Sequence, residues 1–298
     1  MERVPTPVEG LTLSRLAFGA MRLPLDDPAR VAKLVEHAVG LGITTFDHAD
    51  IYGGYGAEEA FGAGLRTWAG DRGSLELVSK CDIMLTDPAR PENTVKHYDT
   101  TARHIVSSAE RSLRNLGVDR LDVLLLHRPD PLLDADETAG ALAGLVRDGK
   151  VRAVGVSNFA PHQLDLVRSR LDVPLVTNQV ELSVFATGAL WDGSLDDAQL
   201  HRYPPMIWSA LGGGDLFTSD AERPSRIRAT LEQVGAETGL SVGATALAWV
   251  LRHPSRPVPV LGTTNPERVT DLAGAVGVPM ERQRWFRILE AAEGAPVP

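Results

Sequence analysis

Short apolar runs, each closed by a polar residue, alternate with longer amphipathic stretches along almost the whole chain. Eight runs have the length and β-branched content of buried strands: Leu16–Phe18, Thr44–His48, Leu75–Cys81, Leu121–His127, Ala153–Val156, Val176–Leu182, Met206–Ala210 and Val258–Gly262. Between them Pro28–Leu41, Thr101–Leu116, Ala135–Arg147, Ala160–Leu171 and Arg226–Gly239 carry apolar residues at helical spacing. Ser241 stands as N-cap to a helix over Val242–His253, and Asn265-Pro266 opens another with proline at its first position. This alternation predicts an α/β fold, a closed parallel (β/α)8 TIM barrel. An open doubly wound sheet is the rival, but no glycine-rich dinucleotide fingerprint follows the first strand. Val8–Leu13, with Glu9-Gly10 between apolar residues, is expected to form an N-terminal β-hairpin plugging the barrel's bottom. Pro279–Ala292 reads as an extra C-terminal helix outside the barrel, with Trp285 and Phe286 on its packing face.

Length and charge narrow the picture further. A chain of 298 residues suits one such barrel domain over 1–298, the typical size being about 250 residues. A net charge of −9 argues against nucleic acid or an anionic membrane as partner. No apolar run approaches the roughly 20 residues of a membrane span. Met1 to Gly10 lacks a basic region followed by an apolar core, so no secretion signal is expected. Cys81 is the single cysteine, which excludes an internal disulfide and a multi-cysteine metal site. It fits a reducing compartment, so a cytoplasmic location is expected. The lysines are Lys33, Lys80, Lys96 and Lys150 alone, so one that closes an apolar run stands out.

In a parallel barrel the chemistry sits at the C-terminal ends of the strands. The polar residues closing the runs there are Asp47, Lys80, His127, Ser157-Asn158, Gln179 and Ser209, and Tyr52 lies in the loop after Asp47. A phenol, with a free pKa of about 10, is a useful acid near neutrality only when that value is lowered. A buried ammonium favours the phenolate, and a carboxylate keeps the ammonium charged and in place. Each residue has a plainer alternative. Lys80 could snorkel at the rim, His127 could be a satisfied core group, Asp47 a loop cap and Tyr52 a packing aromatic. Their joint placement at strand exits favours a site. His48 and Asp50 flank Ala49, but without a His-x-His pair or clustered carboxylates no metal is expected. Arg128 could grip an anionic substrate; an ion pair to Asp130 or a neighbouring loop is the expectation.

The stretch from Phe46 through Asp47-His48-Ala49-Asp50-Ile51-Tyr52-Gly53 resembles the Asp-x-Ala-x-x-Tyr-Gly signature of the aldo-keto reductases. Further landmarks recur in order: Val78-Ser79-Lys80, Leu125-Leu126-His127, Gly149-Lys150-Val151-Arg152, Gly155-Val156-Ser157-Asn158, Asn178-Gln179-Val180-Glu181, Trp208-Ser209-Ala210-Leu211-Gly212 and Gly262 to Arg268. The similarity runs from about Leu11 to the C-terminus. His48 to Gly54, His127 to Pro131 and Trp208 to Gly214 resemble the YdhF-like branch of bacterial oxidoreductases.

The resemblance implies a barrel that reduces an aldehyde or ketone with NADPH by direct hydride transfer, without a Rossmann fold. It gives Tyr52 the role of general acid. Lys80, paired with Asp47, lowers the phenol's pKa, and His127 orients the carbonyl. Ser157, Asn158 and Gln179 hold the nicotinamide carboxamide, and Trp208 stacks on the ring. Gly19, Ala20, Met21, Asp47, Ser209 and Ala210 line the same cofactor, with the backbone of Leu211, Gly212, Gly213 and Gly214 able to approach the pyrophosphate closely. Gly262 lines the cofactor too, while Thr263 and Thr264 with the helix start form an anion site, the Arg268 fork suiting the 2′-phosphate of NADP+. Two departures are visible: Gly262 replaces a lysine of many members, and Leu272 an asparagine that often touches adenine. NADPH stays favoured over NADH. The implied partner is a small-molecule carbonyl substrate, and the short C-terminus suggests an open site. A barrel that binds the cofactor as a sensor or protein partner, with little turnover, is the alternative.

Overall fold

In the computed structural model, which describes residues 1–297, the apolar runs pair edge to edge. The chain opens with β1 (Arg3–Pro5), β2 (Thr12–Ser14), β3 (Ala17–Gly19), α1 (Pro28–Gly40), β4 (Thr45–Asp47), α2 (Tyr52–Tyr55), α3 (Ala57–Thr67) and β5 (Glu76–Cys81). It continues with β6 (Ile83–Met84), β7 (His97–Tyr98), α4 (Ala102–Leu116), β8 (Leu121–Leu126), α5 (Ala135–Arg147), β9 (Val151–Ser157), α6 (Pro161–Arg168) and β10 (Leu175–Glu181). It closes with α7 (Ser194–His201), β11 (Met206–Trp208), α8 (Asp215–Thr218), α9 (Glu222–Thr238), α10 (Val242–Leu251), β12 (Val258–Leu261), α11 (Pro266–Ala273) and α12 (Arg282–Glu293).

Eight parallel strands form a closed barrel in the order β10-β11-β12-β3-β4-β5-β8-β9, as the alternation predicts. Strand side chains alternate between the two faces of the wall. Val78, Val123, Leu125, Ala153, Val176, Met206 and Val258 fill the interior, while Leu77, Cys81, Leu124 and Leu126 join the layer under the helices. By the same parity Lys80 and His127 face the interior at its upper end.

The hairpin plugs the bottom as expected, since Val4, Leu11 and Leu13 join the interior cluster. Its extent differs from the expectation. The pairing runs from Arg3↔Ser14 to Pro5↔Thr12, so Val8–Leu13 holds only the turn and part of the second strand. Pro5 and Pro7 disguise the first strand, because proline is a poor strand signal away from an edge.

Four helices, α2, α3, α7 and α8, are not among the stretches named from the sequence. Glycines dilute α3, and packing explains them. A Cβ on Gly62 would lie 2.2 Å from the Asn115 carbonyl of α4, and one on Gly64 would lie 2.4 Å from Val31 of α1. The predicted caps are present, with Ser241 accepting from the Ala244 amide and Asn265 from the Arg268 amide. On α12, Trp285 stacks on Trp249 with ring centroids 5.1 Å apart, and each indole donates to the other's backbone carbonyl. Phe286 is not on that packing face; it stands edge-on to Trp285 and is 37% exposed. Among the described residues no single helix is long and apolar enough to cross a membrane.

Candidate active site

The exits of β4, β5 and β8 bring three of the singled-out side chains to one place, and the first residue of α2 adds the fourth. Lys80, fully buried, donates to Asp47 Oδ2 at 2.7 Å, to the His48 carbonyl at 2.8 Å and to the Tyr52 hydroxyl at 3.1 Å. The three donors of the ammonium are thus all used. The His127 ring stands edge-on to the Tyr52 ring, centroids 5.9 Å apart, and its Nδ1 is buried without a partner among the described residues.

Electrostatics assign different protonation to the three titratable partners of the site. Burial works against the Lys80 ammonium, but Asp47 and Tyr52 outweigh it, and the pKa of Lys80 is raised. Burial pushes the His127 imidazole well below its ordinary value, helped by Lys80 and Arg128, so the ring is neutral near pH 7. Tyr52 corrects an expectation. Burial raises its pKa, and the nearby Lys80 charge opposes that rise without reversing it. The phenol is therefore fully protonated at neutrality, the state a proton donor must start from.

Residues from the exits of β9, β10 and β11 join this group through one bonded chain. Gln179 Nε2 donates to Asp47 Oδ1 at 2.8 Å, and Ser157 Oγ donates to the Gln179 carbonyl at 2.8 Å. Asn158 Nδ2 donates to Ser157 Oγ at 2.8 Å, while Asn158 Oδ1 accepts from Trp208 Nε1 at 2.9 Å. Asn158 and Ser209 both take left-handed backbone (φ 64° and 52°), which turns the chain sharply at the strand ends. Amide and hydroxyl groups of both donor and acceptor type suit a carboxamide, so the residues present fit a nicotinamide.

On the neighbouring part of the rim, Gly19 lies in register with Asp47, and a Cβ there would come 2.9 Å from the Leu261 carbonyl. Ala20 is buried and Met21 half exposed. Ala210 is buried beside Leu211, and Gly212 and Gly213 adopt φ of 61° and 68°. Gly262, Thr263 and Thr264 follow β12, with Arg268 in the first turn of α11. Arg22 donates to the Gly262 carbonyl at 3.0 Å, so a guanidinium from the β3 exit stands beside the position that lacks a lysine. Neither Arg22 nor Arg268 makes an ion pair among the described residues.

Arg128 corrects a second expectation, because it too makes no ion pair among the described residues. Asp130 instead accepts from Thr100 and the Leu132 amide, and the Arg128 guanidinium lies 5.7 Å from the Trp208 ring centroid. His48 points into the wall, edge-on to Phe61 at 4.4 Å. Four residues have no forecast role yet buttress the site. Asp82, at φ 96°, accepts from the Arg128 amide behind His127. Asn178 clamps Phe159 by two bonds to its backbone, and Glu58 accepts from Ser79 Oγ next to Lys80. Asp50 is tied to α4. No local pattern marks these, since each partner lies far off in sequence. A cleft of about 690 Å³ lined by Arg15, Arg252 and Arg256 opens at the opposite end of the barrel, away from all this chemistry.

A family model described as "Aldo/keto reductase family" matches residues 15–293. The chain is 48% identical over 290 residues to the 6-dehydroglucose reductase of Agrobacterium fabrum, covering 96% of this chain and 97% of that one. It is 46% identical over 301 residues to the oxidoreductase YdhF of Escherichia coli, covering both fully. Among solved structures, the glycerol dehydrogenase of Gluconobacter oxydans superposes with a TM-score of 0.84 at 26% identity, over 99% of this chain and 97% of that one.

Proposed function

The chain belongs to the aldo/keto reductase family, and on that footing we propose that it reduces the aldehyde of a small hydroxylated molecule with NADPH, Tyr52 giving the proton. Proteins of this family are oxidoreductases of carbonyl and alcohol groups that use nicotinamide cofactors. The observation that carries the proposal is the Tyr52 hydroxyl held 3.1 Å from a buried ammonium that Asp47 grips at 2.7 Å.

The nicotinamide, when bound, supplies the hydride. Ser157, Asn158 and Gln179 would hold its carboxamide and Trp208 would cover the ring. The chain's own contribution is to the carbonyl oxygen. As negative charge grows there, Tyr52 passes its proton to that oxygen, and the phenolate left behind faces Lys80. A contact between an ammonium and a neutral hydroxyl thereby becomes one between opposite charges in a site poor in water. Its strength grows toward the transition state, which is the condition for catalysis. His127, kept neutral by burial, can donate one N–H to the same oxygen and orient it.

Two features support the finer points. Arg22 and Arg268, both without ion pairs among the described residues, favour a cofactor carrying the extra 2′-phosphate. The free Arg128 guanidinium, with the Glu181 carboxyl close enough to feel its charge, offers donors and acceptors to substrate hydroxyls, in keeping with a relative named for 6-dehydroglucose.

The test is NADPH consumption across a panel of aldehydes, ketones and sugars that includes 6-dehydroglucose, with NADH in parallel. Tyr52→Phe should lower carbonyl reduction by about 10²–10⁴-fold, the usual contribution of a general acid, with NADPH affinity unchanged. Undiminished turnover in that variant would remove Tyr52 from the mechanism.

A further inference from the structure

After the phenol, the segment that carries Tyr52 is held at Tyr55, whose hydroxyl accepts from the Leu85 amide at 3.0 Å and whose ring lies under the Arg90 guanidinium. Gly53, Gly54 and Tyr55, which follow the phenol, all take left-handed backbone, with φ of 60°, 62° and 71°. Glycine populates that region freely and resists departures from it weakly. Two glycines separate the phenol from that hold, and the second hold lies in the residues that precede it.

Those residues are laced to β5 by backbone. The His48 amide donates to the Val78 carbonyl at 2.8 Å, and the Asp50 amide donates to the Lys80 carbonyl at 3.0 Å. The Asp50 side chain then crosses the barrel wall in the opposite direction. It is 2% exposed, and its Oδ2 accepts from Ser108 Oγ at 2.6 Å and from Arg111 Nη2 at 3.1 Å, both on α4. Ser108 and Arg111 also bond to each other at 3.1 Å, closing a triangle of contacts around one carboxylate oxygen. The other oxygen, Oδ1, is buried without a partner among the described residues.

A carboxylate is a costly choice for a buried anchor. Burial raises the pKa of Asp50 to about 6, with Ser108 and Arg111 opposing that rise and Glu58 on α3 adding to it. Asp82 and Cys81 at the end of β5 feel the same charge. The carboxylate is thus ionised at neutrality against its surroundings. A residue whose only task were to fill the wall could be apolar and more stable there. Directional bonds are what the acid supplies and an apolar side chain cannot.

We infer that Asp50 is a positioning residue for the proton donor: its bonds to Ser108 and Arg111 fasten the Tyr52 loop to α4 and so keep the phenol over Lys80. Asp50 touches neither substrate nor cofactor and acts through Tyr52, two residues on. The inference rests on Tyr52 being the acid. Misplacing a reacting group by about 1 Å can cost on the order of 10²-fold in rate, so loosening this anchor should appear in turnover rather than in binding.

The experiment compares Asp50→Ala, Asp50→Asn and the double variant Ser108→Ala/Arg111→Gln in NADPH-dependent aldehyde reduction. Competent sites are counted by fluorescence titration with NADPH, so that misfolded protein does not enter kcat. Asp50→Ala should lose about 10–100-fold in kcat per site, with NADPH Kd unchanged within twofold. Asp50→Asn retains an oxygen that accepts from Ser108 and should recover to within about threefold of the parent, because geometry rather than charge is what Asp50 provides. The double variant removes both anchors while leaving Asp50 in place, and should fall as far as Asp50→Ala; it decides the matter if Asp50→Ala does not fold. Parental kcat in Asp50→Ala or in the double variant overturns the inference, as does an Asp50→Asn enzyme as slow as Asp50→Ala. A parent protein that reduces no carbonyl, or a fully active Tyr52→Phe, would instead overturn the functional reading beneath it.

Discussion

Replacing Lys80 by methionine tests stability and chemistry at the same atom. The side chain is fully buried, and its ammonium makes three contacts, to Asp47 at 2.7 Å, the His48 carbonyl at 2.8 Å and Tyr52 at 3.1 Å. Methionine matches the volume and makes none of them. Asp47 then keeps one side-chain donor, Gln179 Nε2 at 2.8 Å, for a carboxylate that is 2% exposed. Breaking a buried ion pair from one side costs about 3–5 kcal/mol, because the remaining charge is left in a medium that solvates it poorly. For a chain of this size that loss lowers Tm by on the order of 10 °C. Adding Asp47→Asn removes the stranded charge, leaving mainly the unpaired His48 carbonyl at about 1–3 kcal/mol, so the double variant should be more stable than Lys80→Met alone. Turnover should not follow that recovery. Without the ammonium only the weaker pull of the Arg128 charge opposes the rise that burial imposes on the Tyr52 pKa, and the nascent phenolate loses the counter-charge it touches. A loss of about 10²–10⁴-fold in kcat, equivalent to about 3–5 kcal/mol, is expected in both variants. Urea unfolding followed by circular dichroism reads the first effect, and NADPH consumption at saturating aldehyde reads the second. Turnover restored along with stability in the double variant would refute the role of the Lys80 charge.

Other outcomes follow from the same structure. Arg268→Ala should weaken NADPH by about 10–100-fold, the range for a charge-assisted bond, and leave NADH unchanged in paired cofactor titrations. Gly62→Ala should destabilise the chain by about 1–3 kcal/mol or more, since its methyl would meet the Asn115 carbonyl at 2.2 Å where α3 crosses α4; thermal melts read this directly. Asp50→Asn should have a stability effect that depends on pH. The folded-state pKa of Asp50 is raised from 3.8 to about 6, so its carboxyl favours folding below the lower value and loses that advantage as pH rises through the higher one. The difference is at most about 3 kcal/mol above pH 6, so the asparagine variant should gain in Tm at pH 7.5, gain about half as much at pH 5, and gain little near pH 3.

The fold was legible because its main signal is local. Eight apolar runs with polar ends, and helices spaced between them, dictate strand and helix by the period at which apolar residues recur. A chain of alternating buried strands and helices has few ways to close. Hydrogen-bonding preference likewise exposed the caps at Ser241 and Asn265. The tetrad was legible for a different reason: strand exits are where a parallel barrel collects its chemistry, so Asp47, Lys80 and His127 could be picked out by position before any contact was known. Hidden elements were those whose local pattern is overridden by packing. Gly62 and Gly64 weaken α3 as a helix so that two neighbours can approach, and Pro5 and Pro7 mask a strand that its hairpin partner stabilises.

What the residues alone decided, then, was which types of group stand at the barrel mouth. What only the assembled molecule decided was their condition. Whether Tyr52 is acidified depends on the balance between burial and one ammonium, and burial won. Whether Arg128 is paired depends on where Asp130 turns, and it turns toward Thr100. The bond from Asp50 to Ser108 spans 58 positions of chain. Charge, solvation and long-range hydrogen bonds are properties of surroundings, and the surroundings exist only once strands distant in sequence lie side by side.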